Sequence, residues 1–189
     1  MIDMRKSPAI RRQCIAALGA VVNLVCSFLA GSLHLPIYMD SIGTIMVTTL
    51  LGPKYGIASG LLGCFLSGIT YDVFSFYFAP VQITTAIMAS LVMKSKWGRG
   101  WRMIPSGIAV SLPTALISAC IAAYVFGGQT SAGSSYLVVL FSKMGMSLAL
   151  SCFVVQIFTE YLDKLLAMIL ARVVIEKGGI RKRWNATVE

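Results

Sequence analysis

His34-Leu35-Pro36-Ile37-Tyr38-Met39-Asp40-Ser41-Ile42-Gly43-Thr44 is a polar, proline-broken stretch set between two long apolar runs. A chain that has crossed a membrane once would turn back here, because proline and clustered polar groups end a helix and want water. With charge used to assign sides, Asp40 and Asp72 are the two acids left on the outer face. A ligand arriving from outside meets this loop first.

Working outward, residues 13–33 carry no charge and follow Arg5, Lys6, Arg11 and Arg12. About 20 apolar residues suffice for a crossing, and flanking bases favour the cytoplasm. The first span therefore starts inside. Residues 41–52 are apolar but short and end at Gly52-Pro53-Lys54, a helix break with a cytoplasmic charge, and 55–70 return outward. Gly52, Gly56, Gly60, Cys64 and Gly68 recur every fourth residue, which gives that helix a smooth strip for a neighbour.

An aromatic-rich turn, Tyr71-Asp72-Val73-Phe74-Ser75-Phe76-Tyr77-Phe78, leads into a span at 79–93. Lys94-Ser95-Lys96-Trp97-Gly98-Arg99-Gly100-Trp101-Arg102 then marks the inner face. The next uncharged run, 103–142, is too long for one crossing, and glycines and small polar residues between Gly127 and Ser135 divide it. Spans at 104–126 and 136–161 and a basic tail at 172–189 complete the reading. The expected fold is an all-α integral membrane protein, one domain formed by a compact bundle of six transmembrane helices, with both termini cytoplasmic. In that arrangement every Lys and Arg falls inside except Lys143, which lies within a helix.

Composition agrees. With 57% hydrophobic residues, mean hydropathy +0.81 and 12% charged residues, a soluble domain is excluded. The net charge of +9 sits at the ends of apolar runs, where it faces lipid headgroups, so it does not argue for nucleic acid. Cys14, Cys26, Cys64, Cys120 and Cys152 are isolated in apolar segments and read as packing residues, with no metal or cofactor implied.

Lys143, two turns inside the outer end of the last span, is expected to face the bundle interior and to anchor a carboxylate, phosphate or carbonyl, or else to pair with Asp40 or Asp72 or to snorkel. Asp40, Asp72, Tyr38, Tyr71, Tyr77, Gln82 and Gln129 would surround a pocket mouth near the outer face, though each alone also suits an ordinary interface, and Asp40 an N-cap. His34 reads as a solvated loop residue. Ala16 and Ala20 put small residues four apart on the first helix, for packing within the chain or for docking a partner helix. No phosphate-binding G-x-x-x-x-G-K-[ST] loop occurs, and no acids are placed at mid-membrane, so coupling energy would have to come from elsewhere.

These features resemble the substrate-binding S component of an energy-coupling factor (ECF) vitamin transporter. The resemblance rests on six spans with both ends inside, on Ala16-x-x-x-Ala20, and on Leu35-Pro36-Ile37-Tyr38-Met39-Asp40-Ser41-Ile42-Gly43-Thr44 followed by Leu51-Gly52-Pro53-Lys54-Tyr55-Gly56. It implies a multi-pass protein of a bacterial plasma membrane that binds a micronutrient tightly near the outer face. Corrinoid, pantothenate and nucleoside-like ligands are open. It also implies assembly through Ala16 and Ala20 with a transmembrane coupling subunit, two ATPase subunits beyond it, and a toppling motion that carries the cargo across.

Two rivals stand beside this reading. A small oligomeric channel or scaffold would use the charge in the last span to line a shared pore or interface. An intramembrane serine hydrolase would need Ser59 or Ser67 within reach of His34, a residue of an outer loop, whereas Ser59 is expected near the inner end of its helix.

Overall fold

A computed structural model describes residues 8–95, 98, 100–129 and 133–177. Among them the chain is all helical: α1 Pro8–Ser32, α2 Ile42–Leu51, α3 Pro53–Thr70, α4 Ala79–Lys94, α5 Met103–Cys120, α6 Ser134–Lys143 and α7 Leu148–Lys177. A 3₁₀ segment, Val73–Phe78, leads into α4, and a π-helical turn, Ile121–Val125, extends α5. Three stretches are long and apolar enough to cross a membrane: Ala9–Ser32, Val73–Lys94 and Gly100–Val125.

The bundle sorts its side chains as lipid demands. Leu18, Phe28, Phe65, Leu91, Leu116 and Phe158 are exposed, whereas Asn23, Ser41, Thr44, Gln82 and Gln156 are buried. A helix in water turns its apolar stripe inward. Here the interior is small and polar and the exterior is Leu and Phe, the arrangement in which interhelical hydrogen bonds and close backbone approach hold helices together.

Glycine makes those approaches possible. A Cβ on Gly43 of α2 would collide with the Gly19 carbonyl of α1, and one on Gly56 of α3 would collide with the Thr48 side chain of α2. Gly60 sits against Gln82 of α4 and Thr44 of α2. Within the four-residue strip read from the sequence, Gly56 and Gly60 thus receive α2 and α4, and Gly68 receives the Phe76 ring. The break before it also falls as expected, with Gly52 at φ +98°, open to glycine, and Pro53 starting α3.

The second helix is unusual. At 10 residues, α2 is ~15 Å long, about half of a bilayer's hydrocarbon core. It begins inside the bundle, because Gly43 and Thr44 both donate backbone N–H groups to Oδ1 of Asn23, well short of the α1 terminus at Ser32. After 33–36 turn over the end of α1, residues 37–41 therefore descend between the helices.

The end of the chain departs from the single span expected over 136–161. That stretch is interrupted after Lys143, where Gly145 adopts φ +95°, and α6 folds back along α7 so that Val138 and Cys152 share a small apolar cluster. Further on, α7 stays helical to Lys177. Arg172, expected in a basic tail, is instead buried, its guanidinium donating to the Gly98 carbonyl. The rest of that tail, 178–189, lies outside the described residues, as do Arg5, Lys6, Lys96, Trp97, Arg99 and 130–132.

Candidate functional site

Glu160, Asp163 and Lys164 lie within about one turn of α7, and all three are buried. A buried ammonium is tolerated only when carboxylates and hydrogen bonds replace its hydration. Lys164 Nζ lies 2.8 Å from Oδ2 of Asp163, 3.1 Å from Oε2 of Glu160 and 3.9 Å from Oδ1 of Asp40. It also donates to Oγ of Ser41 at 3.1 Å. Three carboxylates thus surround one ammonium.

The same acids hold the descending loop. Asp163 accepts from the Met39 backbone N–H at 2.7 Å and from the Ser41 hydroxyl at 2.9 Å. Met39 sits at φ +54°, a left-handed conformation that costs a non-glycine residue on the order of 1–2 kcal/mol. A charge-assisted bond to a buried carboxylate is strong enough to hold it there. Glu160 is fixed from another side by the Ser118 hydroxyl of α5, at 2.7 Å.

A second set of bonds crosses the bundle to the same loop. Asn23 Nδ2 of α1 donates to Oγ1 of Thr44 on α2 at 2.8 Å, and the Thr44 hydroxyl donates to Oε1 of Gln82 on α4 at 2.8 Å. Gln82 Nε2 then donates to the Asp40 carbonyl at 3.2 Å. Asp40 is therefore positioned by its backbone from α4 and by its carboxylate from α7.

Above this floor is a cavity of about 300 Å³. The end of α1 contributes Ser27 and Phe28, the loop contributes Tyr38 and Asp40, and the segment after α3 contributes Tyr71, Asp72 and Ser75. Tyr71 donates its hydroxyl to Ser27 at 2.6 Å and meets Phe28 edge to face at 5.4 Å. Asp72 accepts from the Phe74 N–H at 3.2 Å and the Ser75 hydroxyl at 2.8 Å, which caps the 3₁₀ segment. Tyr38 is held at its hydroxyl by Ser134 of α6 at 3.2 Å and by Gln156 of α7 at 3.1 Å. The size is at the lower end of small-molecule sites.

Of the residues singled out in the sequence, Tyr38, Asp40, Tyr71 and Asp72 meet around this cavity. Gln82 is fully buried behind it, a positioning residue and not a wall. Tyr77 is exposed with its ring against Phe126, and Gln129 is exposed in the loop after α5. The interior position expected of Lys143 is corrected: it is the last residue of α6 and is exposed, because the helix breaks beside it. The cation enclosed by carboxylates is Lys164 instead, and the expectation of no acids deep in the bundle gives way to Glu160 and Asp163.

Ala16 and Ala20 also turn inward. Ala20 is fully buried and Ala16 nearly so, so their small size serves packing within this chain. The exposed face of α1 is formed by Leu18, Val21, Val25 and Leu29. Ser59 lies against Gly19 deep between α1 and α3, while the His34 carbonyl lies against Gly133, so Ser59 and His34 sit in different parts of the molecule.

No family model, curated protein or solved structure matches this chain.

Proposed function

We propose that this chain is a substrate-binding membrane subunit of the ECF S-component kind, taking up a vitamin or related micronutrient. The observation that carries the reading is the cavity at the top of the descending loop: a small-molecule-sized space with aromatic and polar walls, set on a floor that hydrogen bonds from α4 and α7 hold in place. Such preorganisation is what a tight binder needs, since little remains to be ordered when cargo arrives.

On this reading the crossings number six: α1, the descending loop with α2, α3, α4, α5 and α7. A loop that enters the bundle completes the span that α2 alone is too short to make, as in carriers whose sites are built at broken helices. Even parity and the basic residues near the start of α1 and the end of α7 support a cytoplasmic position for both termini. Transport would draw on a transmembrane coupling subunit and two ATPase subunits, as the sequence has no phosphate-binding loop of its own.

The test is to purify the full chain in detergent, identify any small molecule that co-purifies, and follow melting with the small-molecule fraction of the growth medium added. One ligand per chain and a higher melting temperature support the reading, because binding to the folded state must stabilise it. No ligand and no shift with any fraction would retire it.

A further inference from the structure

We propose that the cavity takes an organic cation, a planar ring bearing an amine or amidine-like group, with the Asp40 carboxylate as its counter-charge. This rests on the binding reading above and specifies the ligand's charge and shape.

The charge distribution is the first ground. The chain carries 16 Lys and Arg against 7 Asp and Glu, yet four of those acids, Asp40, Asp72, Glu160 and Asp163, gather at the cavity and its floor. Among the described residues that line the cavity, Asp40 and Asp72 are acidic and none is basic. Among the described residues the cation beside this floor is Lys164, and it is 1% exposed, enclosed behind Asp40 by Glu160 and Asp163. Three carboxylates to one ammonium leave the floor formally negative, and Asp72 adds to that sign. In a partly desolvated site, a field of this kind favours a positive ligand and repels an anion.

The shape of Asp40 is the second. Its Oδ1 is buried toward Lys164 and has no hydrogen-bond partner, while the side chain keeps 29% of its surface exposed. The carboxylate thus stands at the boundary, one oxygen turned to the floor and the remainder available to the cavity it lines. Asp72, by contrast, has both oxygens engaged in the cap, and its charge adds to the same sign. The walls are the third ground. Phe28, Tyr38 and Tyr71 bring aromatic rings to a space of about 300 Å³, and ring faces attract both planar rings and cations.

The experiment holds the ring constant and changes the charge. Melting of the purified full chain is followed with increasing benzamidine (cation), benzamide (neutral) and benzoate (anion) at matched ionic strength. Benzamidine is expected to stabilise with an apparent affinity about tenfold or more above benzoate, the discrimination of one partly desolvated charge contact, with benzamide between. Asp40→Asn should abolish the preference. The charge series on the unaltered chain is decisive even if that variant fails to fold. Benzoate equal to or better than benzamidine would overturn the cationic class, as would a flat response to all three. In either case a ligand found in the growth-medium experiment would leave the binding reading standing, and the absence of one there would remove that reading separately.

Discussion

The Lys164 ammonium of α7 stands 3.9 Å from Oδ1 of Asp40, a residue of the loop that descends between α1 and α2. One contact thereby joins the most deeply buried cation to the wall of the cavity. Helix and loop are separated by more than a hundred positions in the chain, and the stability of each depends on the other.

Replacing Lys164 with Met would leave three carboxylates without their shared counter-ion. Removing one partner of a buried ion group costs about 3–5 kcal/mol. A large drop in melting temperature is expected in detergent, partly restored when Glu160→Gln is added to Lys164→Met. Equal stability of the single variant and the parent would show that the cluster does not hold the fold.

Gly43→Ala should disrupt folding, since the new methyl would meet the Gly19 backbone, which cannot move aside. Gly31→Ala is the control, with nothing within 4 Å of its Cβ. Folded yield by size-exclusion chromatography should fall for the first and hold for the second.

Ala20→Leu inserts three carbons at a fully buried position of α1. Overpacking of this kind costs about 1–3 kcal/mol. The isolated chain should melt lower, whereas an alanine that serves only as a docking contact would leave its melting unchanged.

Tyr38→Phe deletes the hydroxyl that joins Ser134 and Gln156 at the cavity wall. Loss of about 1–2 kcal/mol is expected from the two bonds. Hydrogen exchange should quicken at the start of α6, where Ser134 lies.

Lys143→Ala should alter stability by no more than about 0.5 kcal/mol, as surface substitutions do, and should leave the benzamidine series unchanged. A marked loss in either measurement would restore an interior role for that residue.

Periodicity and breakers were enough to find α1, α3, α4 and α5, because each is a run of apolar residues bounded by charge, proline or glycine. The loop at 34–44 and its Tyr38 and Asp40 were legible for the same reason: polar residues between two apolar runs need a partner or water. Lys143 misled because an apolar run hides a helix break, and only the left-handed Gly145 makes it. Glu160, Asp163 and Lys164 go unmarked in the sequence reading, because they stand at and just beyond the end of the span taken as 136–161. Their i, i+3, i+4 spacing puts them on one helix face, which continues through Ala167, Met168 and Ala171, all buried. That continuation was the available signal that the charges point into the bundle and not toward headgroups.

The Gly19 and Gly43 backbones meet too closely for a side chain to pass between them, a short way along α2 from the residues that hold the charged floor. On the proposed uptake role, cargo resting on that floor would leave by the rim it came in through, so delivery to the opposite compartment would call for tipping the whole vessel, with the machinery for that supplied by its neighbours.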